Sequence, residues 1–470
     1  MQCFAVERGE VANSRCDVDF HHPEYANLIR HIEALPDTAL ISEIIARPLI
    51  SGFAAGKDNR AQSGEDSVPQ IRPTQILLDG EIDMSDAYGI GVKNVSERDY
   101  LQSGEVLFNN TNSTLLVGKS AVFREPVAAI CSNHVTPLRV REGIEPAFVE
   151  MVLNLLRQEG YFARLCTNFN NQAGINTATL ASVRIPLPPA SQREKLIDMM
   201  AAARAERKAK LAEADALLAG IDDFLLDALG ITPSAEGPRR VFTVRRGDVA
   251  ARIDARHYAL REELSSSFPI TQLGLLVKTE PDYGSSSRAV ARTSPDEPRY
   301  IRITDFGDDG IEPGHKFVTA DPIELGYKLE MGDILFARSG SVGKTYIHED
   351  ASESAIFAGY CIRFKFDEAR VSPKFVYWWT KTSAYYRWVD AIQRPSVQAN
   401  INKEEFKSCP IPLPDLADQE RLITQLESVR RNARRLRAEA EAGWEGAKRW
   451  FEEELLGTSK QFGLQVPRGV

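Results

Sequence analysis

The chain has 470 residues, of which 43% are hydrophobic and 26% charged, and a net charge of −9. That length implies roughly two to four domains, and the composition excludes a disordered or fibrous chain. The acidic balance excludes a generally basic nucleic-acid coat, though not a protein that touches DNA locally or shares its phosphate contacts with a partner. No apolar run reaches the ~18 residues of a membrane span. The opening MQCFAVERGE puts Glu7, Arg8 and Glu10 where a signal peptide needs apolar residues, which points to the cytoplasm. Six cysteines lie far apart with no C-x-x-C, so buried free thiols are expected rather than a zinc or redox motif.

Taken in order, the chain starts with FAVERGEVANSRCDVDFHHPEY (4–25). Short apolar runs broken by Gly, Asn, Asp and Pro follow, among them IRPTQILLDGEI (71–82) and SGEVLFNNTNSTLLVGKS (103–120), and these read as strands and turns. The apolar, aromatic stretch 146–165 predicts a helix with Pro146 in its first turn. A loop rich in Asn and Gln (170–176) then leads to IPLP (185–188), which must be extended. Residues 190–229 lack Pro and are rich in good helix formers. Leu196, Met200, Ala203, Leu211, Ala214, Leu218, Ile221 and Leu225 recur there at steps of three and four with one polar interruption. Ser191 is the expected cap. GITPSAEGPRR (230–240) reads as a linker.

The same order then recurs. FTVRRGDVAARIDARHYALREE (242–263), IRITDFGDDGIE (301–312) and MGDILFARSGSVGKT (331–345) come first. A second aromatic helix is predicted over 373–389, with Pro373 leading it, and a second IPLP stands at 411–414. A second long helix over 417–456 places Leu422, Leu426, Val429, Ala433, Leu436, Ala440, Ala447 and Trp450 in its seam, with Asp418 as cap. The offset between matching segments drifts from 238 to 226, as loop insertions would cause. An internal repeat of this kind is the strongest organisational signal in a sequence. It sets segment boundaries at 1–188, 189–232, 233–414, 415–458 and 459–470: a domain, a helix, a domain, a helix and a tail. The expected fold class is α+β, with two similar mixed α/β domains separated by a pair of long antiparallel coiled-coil helices and related by an internal pseudo-two-fold. Each helix would run ~60 Å at ~1.5 Å per residue, and helices of that length need a partner, so the two are expected to pack on each other. Charge is uneven: residues 1–184 carry 16 basic and 23 acidic side chains, residues 236–410 carry 25 of each.

Catalytic motifs are missing. There is no N-P-P-Y or D-P-P-Y, no H-E-x-x-H, no G-x-S-x-G and no G-x-G-x-x-G after a strand. RSGSVGKT (338–345) approaches a phosphate loop, but Arg338 stands where Gly is required, and Ser113 stands there in the first copy. His21, His22 and His257 lack companions at ligand spacing, and Glu280 and Asp282 lack the paired carboxylates of two-metal cleavage. No catalytic residue and no metal ligand is expected.

The polar loops carry the remaining functional signal. Asn and Gln suit adenine edges, Arg and Lys suit guanine, and Ser, Lys and backbone amides suit phosphates. In the first copy the candidate DNA contacts are Lys57, Arg60, Asn109, Asn112, Lys119, Asn170 and Gln172. In the second they are Tyr283, Ser285, Arg288, Arg338, Ser339, Ser341, Lys344, Arg394, Ser396 and Gln398. Asn176 and Asn402 share an N-x-x-x-[LF] context, and capping of a short helix is an alternative use for both.

Together these features resemble the specificity subunit of type I restriction–modification enzymes over nearly the whole chain. The carriers are the D-V-D-F and D-A-R-H starts at Asp17 and Asp254, the G-[ED]-[VI]-L-F strand, the S-G-S-V-G-K loop of the second copy, the I-N-x-x-x-[LF] segment, and IPLP followed by a long helix. The resemblance implies two target-recognition domains that each read half of an interrupted double-stranded DNA site, with the two helices setting their separation. It implies docking of two methyltransferase subunits, later joined by motor-nuclease subunits, and no catalysis in this chain. S-adenosylmethionine, ATP and Mg would then belong to the partner subunits, with no cofactor here. The first copy departs from the pattern: NNTNSTLLVGK (109–119) is three residues longer than ARSGSVGK (337–344). The acidic balance points to a phosphate clamp shared with the methyltransferases. A second class stays open, a coiled-coil assembly adaptor of a defence complex without its own DNA readout.

Overall fold

The computed structural model describes residues 21–62, 64–169, 172–232, 241, 243–244, 255–260, 264–307, 310–311, 317–350, 352–393 and 399–457. Asp17 and Asp254 lie outside this set, as do Asn170, Arg394, Ser396 and Gln398. The chain divides into two compact units, Met1–Lys208 with Ala440–Arg468, and Ala209–Glu439 with Gly469–Val470.

In the first unit, α1 (Pro23–Ala34) precedes β1 (Thr38–Leu40), β2 (Ser67–Ile71), β3 (Tyr88–Gly91), β4 (Val106–Asn109), β5 (Thr111–Asn112), β6 (Ser120–Val122), β7 (Ile130–Cys131) and β8 (Val135–Leu138). Then come α2 (Pro146–Gln158), β9 (Thr167–Phe169), β10 (Gln172–Gly174), β11 (Arg184–Pro186) and α3 (Ala190–Ala228). β4 is a run of four buried residues, as a strand covered on both faces should be, and it pairs antiparallel with β6 and β8. β2 pairs antiparallel with β3 and parallel with β7. The extended IPLP segment supplies β11, which pairs with β1.

The apolar stretch 146–165 is not one helix. α2 has Pro146 in its first turn, as expected, and the chain breaks at Gly160, whose φ of 71° favours glycine, before a short helix at Tyr161–Leu165. The break turns Phe162 onto Phe108 of β4, edge-on at 5.1 Å. α2 buries Phe148, Val149, Val152, Leu153 and Leu156 in the same core.

In the second unit the strands are β12 (Ile270–Gln272), β13 (Asp282–Tyr283), β14 (Arg288–Ala291), β15 (Arg299–Ile301), β16 (Phe306–Gly307), β17 (Gly310–Ile311) and β18 (Val318–Asp321). They continue with β19 (Ile334–Ala337), β20 (Thr345–Ile347), β21 (Ala355–Phe357) and β22 (Cys361–Phe364). Helices α4 (Pro373–Trp379) and α5 (Ser383–Ile392), strand β23 (Pro410–Pro412) and helix α6 (Leu416–Leu456) complete it. The buried β19 lies between β20 and β22, β15 runs parallel to β21, and β23 pairs with β12. This is the order of pairings found around β4, β2 and β11. The aromatic stretch 373–389 splits as its counterpart does, here at Thr380–Thr382, with the Thr382 hydroxyl accepting from the Tyr385 amide at 3.2 Å.

Each unit holds antiparallel stretches of the two long helices. In the first, Leu196 and Met200 of α3 share a core with Trp444, Ala447, Phe451 and Leu455 of α6, and Arg207 meets Glu441 at 2.9 Å. In the second, Ala214 packs with Ala433 and Leu436, and Arg437 meets Asp215 at 2.9 Å. The expected seam slips near the end of α6. Trp444 and Phe451 are buried, whereas Trp450 is half-buried with the Lys195 ammonium 5.4 Å over its ring. Steps of four, three and four from Ala440 pass through 444, 447 and 451, which puts 450 to one side. The capping expectations also shift. α3 begins at Ala190, so Ser191 is already helical, and the Asp418 amide donates to the Asp415 carboxylate at 2.8 Å, making Asp415 the acceptor ahead of the α6 turn. Among the described residues no helix is long and apolar enough to cross a membrane.

Candidate nucleic-acid interface

The second unit presents its polar turn between β19 and β20. Gly340 and Gly343 take φ of 73° and 85°, so the turn closes within seven residues, 338–344. The Arg338 amide donates to the Tyr360 carbonyl at 3.0 Å, and its own carbonyl accepts from Ile401 at 3.0 Å. With its backbone fixed on both sides, Arg338 lays its guanidinium 4.7 Å from the centre of the Tyr283 ring. Tyr283 is held on β13, and its hydroxyl accepts from the Lys403 amide at 3.5 Å. Tyr360, 67% exposed, borders the same turn. Ser341 is exposed and Lys344 half-buried, and among the described residues neither Arg338 nor Lys344 has a carboxylate partner. Arg288 is exposed on β14, opposite Asp321. The result is a cationic, aromatic-backed turn on a rigid sheet, with guanidinium and ammonium groups left for an external acceptor.

Four of the expected contacts turn inward instead. Asn109 is fully buried and its side-chain amide donates to the Leu116 carbonyl at 2.8 Å, closing the long turn of the first copy. Lys119 is buried and its ammonium donates to the carbonyls of Pro73 and Ile76 at 2.8 and 2.6 Å, with burial pushing its pKa down. Ser285 is buried, and its hydroxyl donates to Glu324 at 2.5 Å. Ser339 is buried where it bridges to Asn400. The side chains of Asn109, Lys119 and Ser285 thus spend their donors on backbone or carboxylate groups of their own unit.

In the first unit, Arg60 is exposed, with its guanidinium 4.3 Å from the Tyr88 ring centre. Asn112 accepts from the Ser113 amide at 2.8 Å, and Gln172 is exposed on β10. Lys57 begins a one-turn 3-10 helix, and its side chain lies outside the described residues. Asn176 and Asn402 are caps, accepting from Thr179 and Glu405 amides at 2.8 and 2.9 Å. Sequence reading missed Arg72, Tyr88 and Tyr360. Tyr88 and Tyr360 are large aromatics 41% and 67% exposed, but nothing in the local pattern separates them from buried ones.

The acidic residues weighed for nuclease chemistry serve ion pairs: Asp282 meets Arg363 at 2.7 Å, and Glu280 meets Lys403 and Lys407 at 3.1 and 3.2 Å. Cys131, Cys166, Cys361 and Cys409 are buried free thiols, and burial pushes Cys131 up to about 12. Among the described residues no three His, Cys, Asp or Glu side chains gather to hold a metal.

Residues 325–442 match the model of the family described as type I restriction modification DNA specificity domain. The matched segment spans the Arg338 turn, α4, α5 and the first part of α6. A particular relative is a putative type I restriction enzyme MjaX specificity subunit from Methanocaldococcus jannaschii, 27% identical over 99 residues. The match covers 21% of this chain and 23% of that protein. A chain solved in work on complex assembly and conformational transition of the type I R-M system shares the fold at a TM-score of 0.50 and 15% identity, covering 90% of this chain and 98% of its own. The HsdS subunit from Thermoanaerobacter tengcongensis aligns at a TM-score of 0.34 and 15% identity over 89% of this chain and 96% of its own.

Proposed function

We propose that this chain is the non-catalytic DNA sequence-specificity subunit of a type I restriction–modification complex. It reads a bipartite, interrupted double-stranded site, one half per recognition domain, and docks methyltransferase subunits, with motor-nuclease subunits joining the assembly. The observation that carries this reading is the coincidence of two things in one segment. Residues 325–442 match a DNA specificity domain, and that segment contains the turn presenting Arg338 and Lys344. The recurring strand order supports a pseudo-two-fold pair of readers with different loops, so the site is non-palindromic. The paired stretches of α3 and α6 support a coiled-coil spacer. S-adenosylmethionine, ATP and Mg belong to the partners, and the complex works in the cytoplasm.

The test is binding to a duplex that carries the host's bipartite methylated sequence, against a scrambled duplex, with the methyltransferase present and salt varied. Selective binding that weakens with salt is expected. Indifference to sequence, with assembly intact, favours an adaptor without readout. The chain alone, given S-adenosylmethionine and host DNA, is expected to transfer no methyl groups.

A further inference from the structure

The Tyr88 region of the first unit is a second cationic feature, and its geometry comes from strand register rather than from a loop. β2 and β3 pair with Gln70 opposite Tyr88, so Arg72, two residues beyond Gln70, shares the Tyr88 face. On the other side of β3, Arg60 bridges to Ile90, two residues beyond Tyr88, and reaches the same face. The Arg72 guanidinium lies 3.7 Å from the Tyr88 ring centre and that of Arg60 4.3 Å, so the two cations stand within about 8 Å of each other. Neither is within ion-pair reach of a carboxylate among the described residues. Arg72 spends one terminal nitrogen on the Asp86 carbonyl at 3.3 Å, while its Nε is buried with no hydrogen-bond partner. Elsewhere in this unit Arg47 and Arg139 are neutralised by Glu105 and Arg193 by Glu145. Two like charges brought together on one ring, with donors left over, define a place for an anion.

We infer that Arg60, Arg72 and Tyr88 form a phosphate-gripping site for the backbone of duplex DNA. This rests on the specificity-subunit reading and joins Arg60, at the end of a polar loop, to Arg72 and Tyr88, which lie outside the polar loops of the first recognition domain. Tyr88 acts as the platform that holds the guanidiniums flat. The guanidiniums supply parallel N–H donors to one or two neighbouring phosphodiesters. The site contributes affinity and register and carries no base information.

The test uses the full chain with its co-purified methyltransferase and two fluorescent duplexes, one with the methylated site and one of scrambled sequence. Binding is titrated across a range of salt. The double variant Arg60→Ala with Arg72→Ala is expected to weaken binding to both duplexes by the same factor and to lower the slope of log K against log salt by roughly two units. Tyr88→Phe keeps the ring and is expected to bind as the parent does, whereas Tyr88→Ala weakens both duplexes. A double variant that melts like the parent and keeps the parental salt slope overturns the site. So does an effect confined to one base position of the methylated sequence, which would make these residues base readers. If the parent complex shows no selective binding, the specificity-subunit reading fails as well. Selective parental binding with unaffected variants removes only the phosphate site.

Discussion

At the scale of single residues, Arg338 and Lys344 leave one tight turn with different chemistry. Arg338 is pre-oriented on Tyr283 and offers a planar fork, which suits bidentate contact with a guanine edge. Arg338→Ala is expected to cost ~1–3 kcal/mol of discrimination and to relax one base position. Lys344 is a flexible point charge, and Lys344→Ala is expected to weaken all duplexes and lower the salt slope by about one unit. Methylome sequencing and salt titration separate the two effects. Glu150 gives a stability test independent of DNA. It is buried on α2, hydrogen-bonded by Asn154 at 2.7 Å and by Arg204 at 3.4 Å, and burial pushes its carboxyl up to about 7 from an unfolded value of 4.5. Because the folded value is the higher one, the stability tied to the protonated form is complete below 4.5 and is lost as pH rises through about 7. Glu150→Gln removes the titration. Its stability relative to the parent should therefore climb by up to ~3 kcal/mol between those limits, read by urea unfolding across pH. Parallel pH profiles would contradict this.

The elements differ in how far the sequence revealed them. The long helices, the proline-led starts of α2 and α4 and the Asn caps were legible because helix periodicity and capping are local. Asn402→Ala should cost about 0.5–2 kcal/mol, measured by unfolding, as the Glu405 amide loses its acceptor. The direction of polar side chains was not legible. Asn109 and Ser339 share composition with the exposed Ser341, and only the folded turn decides which side chain closes it. The Arg72–Tyr88 pair was missed for a related reason. It depends on strand register between segments 18 residues apart, Gln70 against Tyr88, which no local pattern encodes. The Trp450 misplacement shows the same limit in a helix, where one shifted step in a seam moves a side chain off the buried line. Replacing residues 393–402 with the loop of a divergent specificity subunit should change one half of the methylated site and spare the other. Loss of both halves in a folded complex would count against separate readers.

At the scale of the whole molecule, the recurrence of strand order and helix starts was visible in sequence because each repeated motif carries its own local chemistry. If the helices act as a spacer, matched four-residue insertions after Ala214 and after Ala433, which pack together, lengthen both by ~6 Å and rotate the distal turns by ~40°. The gap between half-sites should widen by one or two base pairs at ~3.4 Å each, with both half-sites unchanged. The most direct test of the account is the methylome of cells that express the chain with its methyltransferase, compared with cells lacking only this chain. The account predicts one interrupted, non-palindromic motif that is methylated in the first and unmethylated in the second. An identical methylome in both, with the chain folded and bound to its partner, would contradict it.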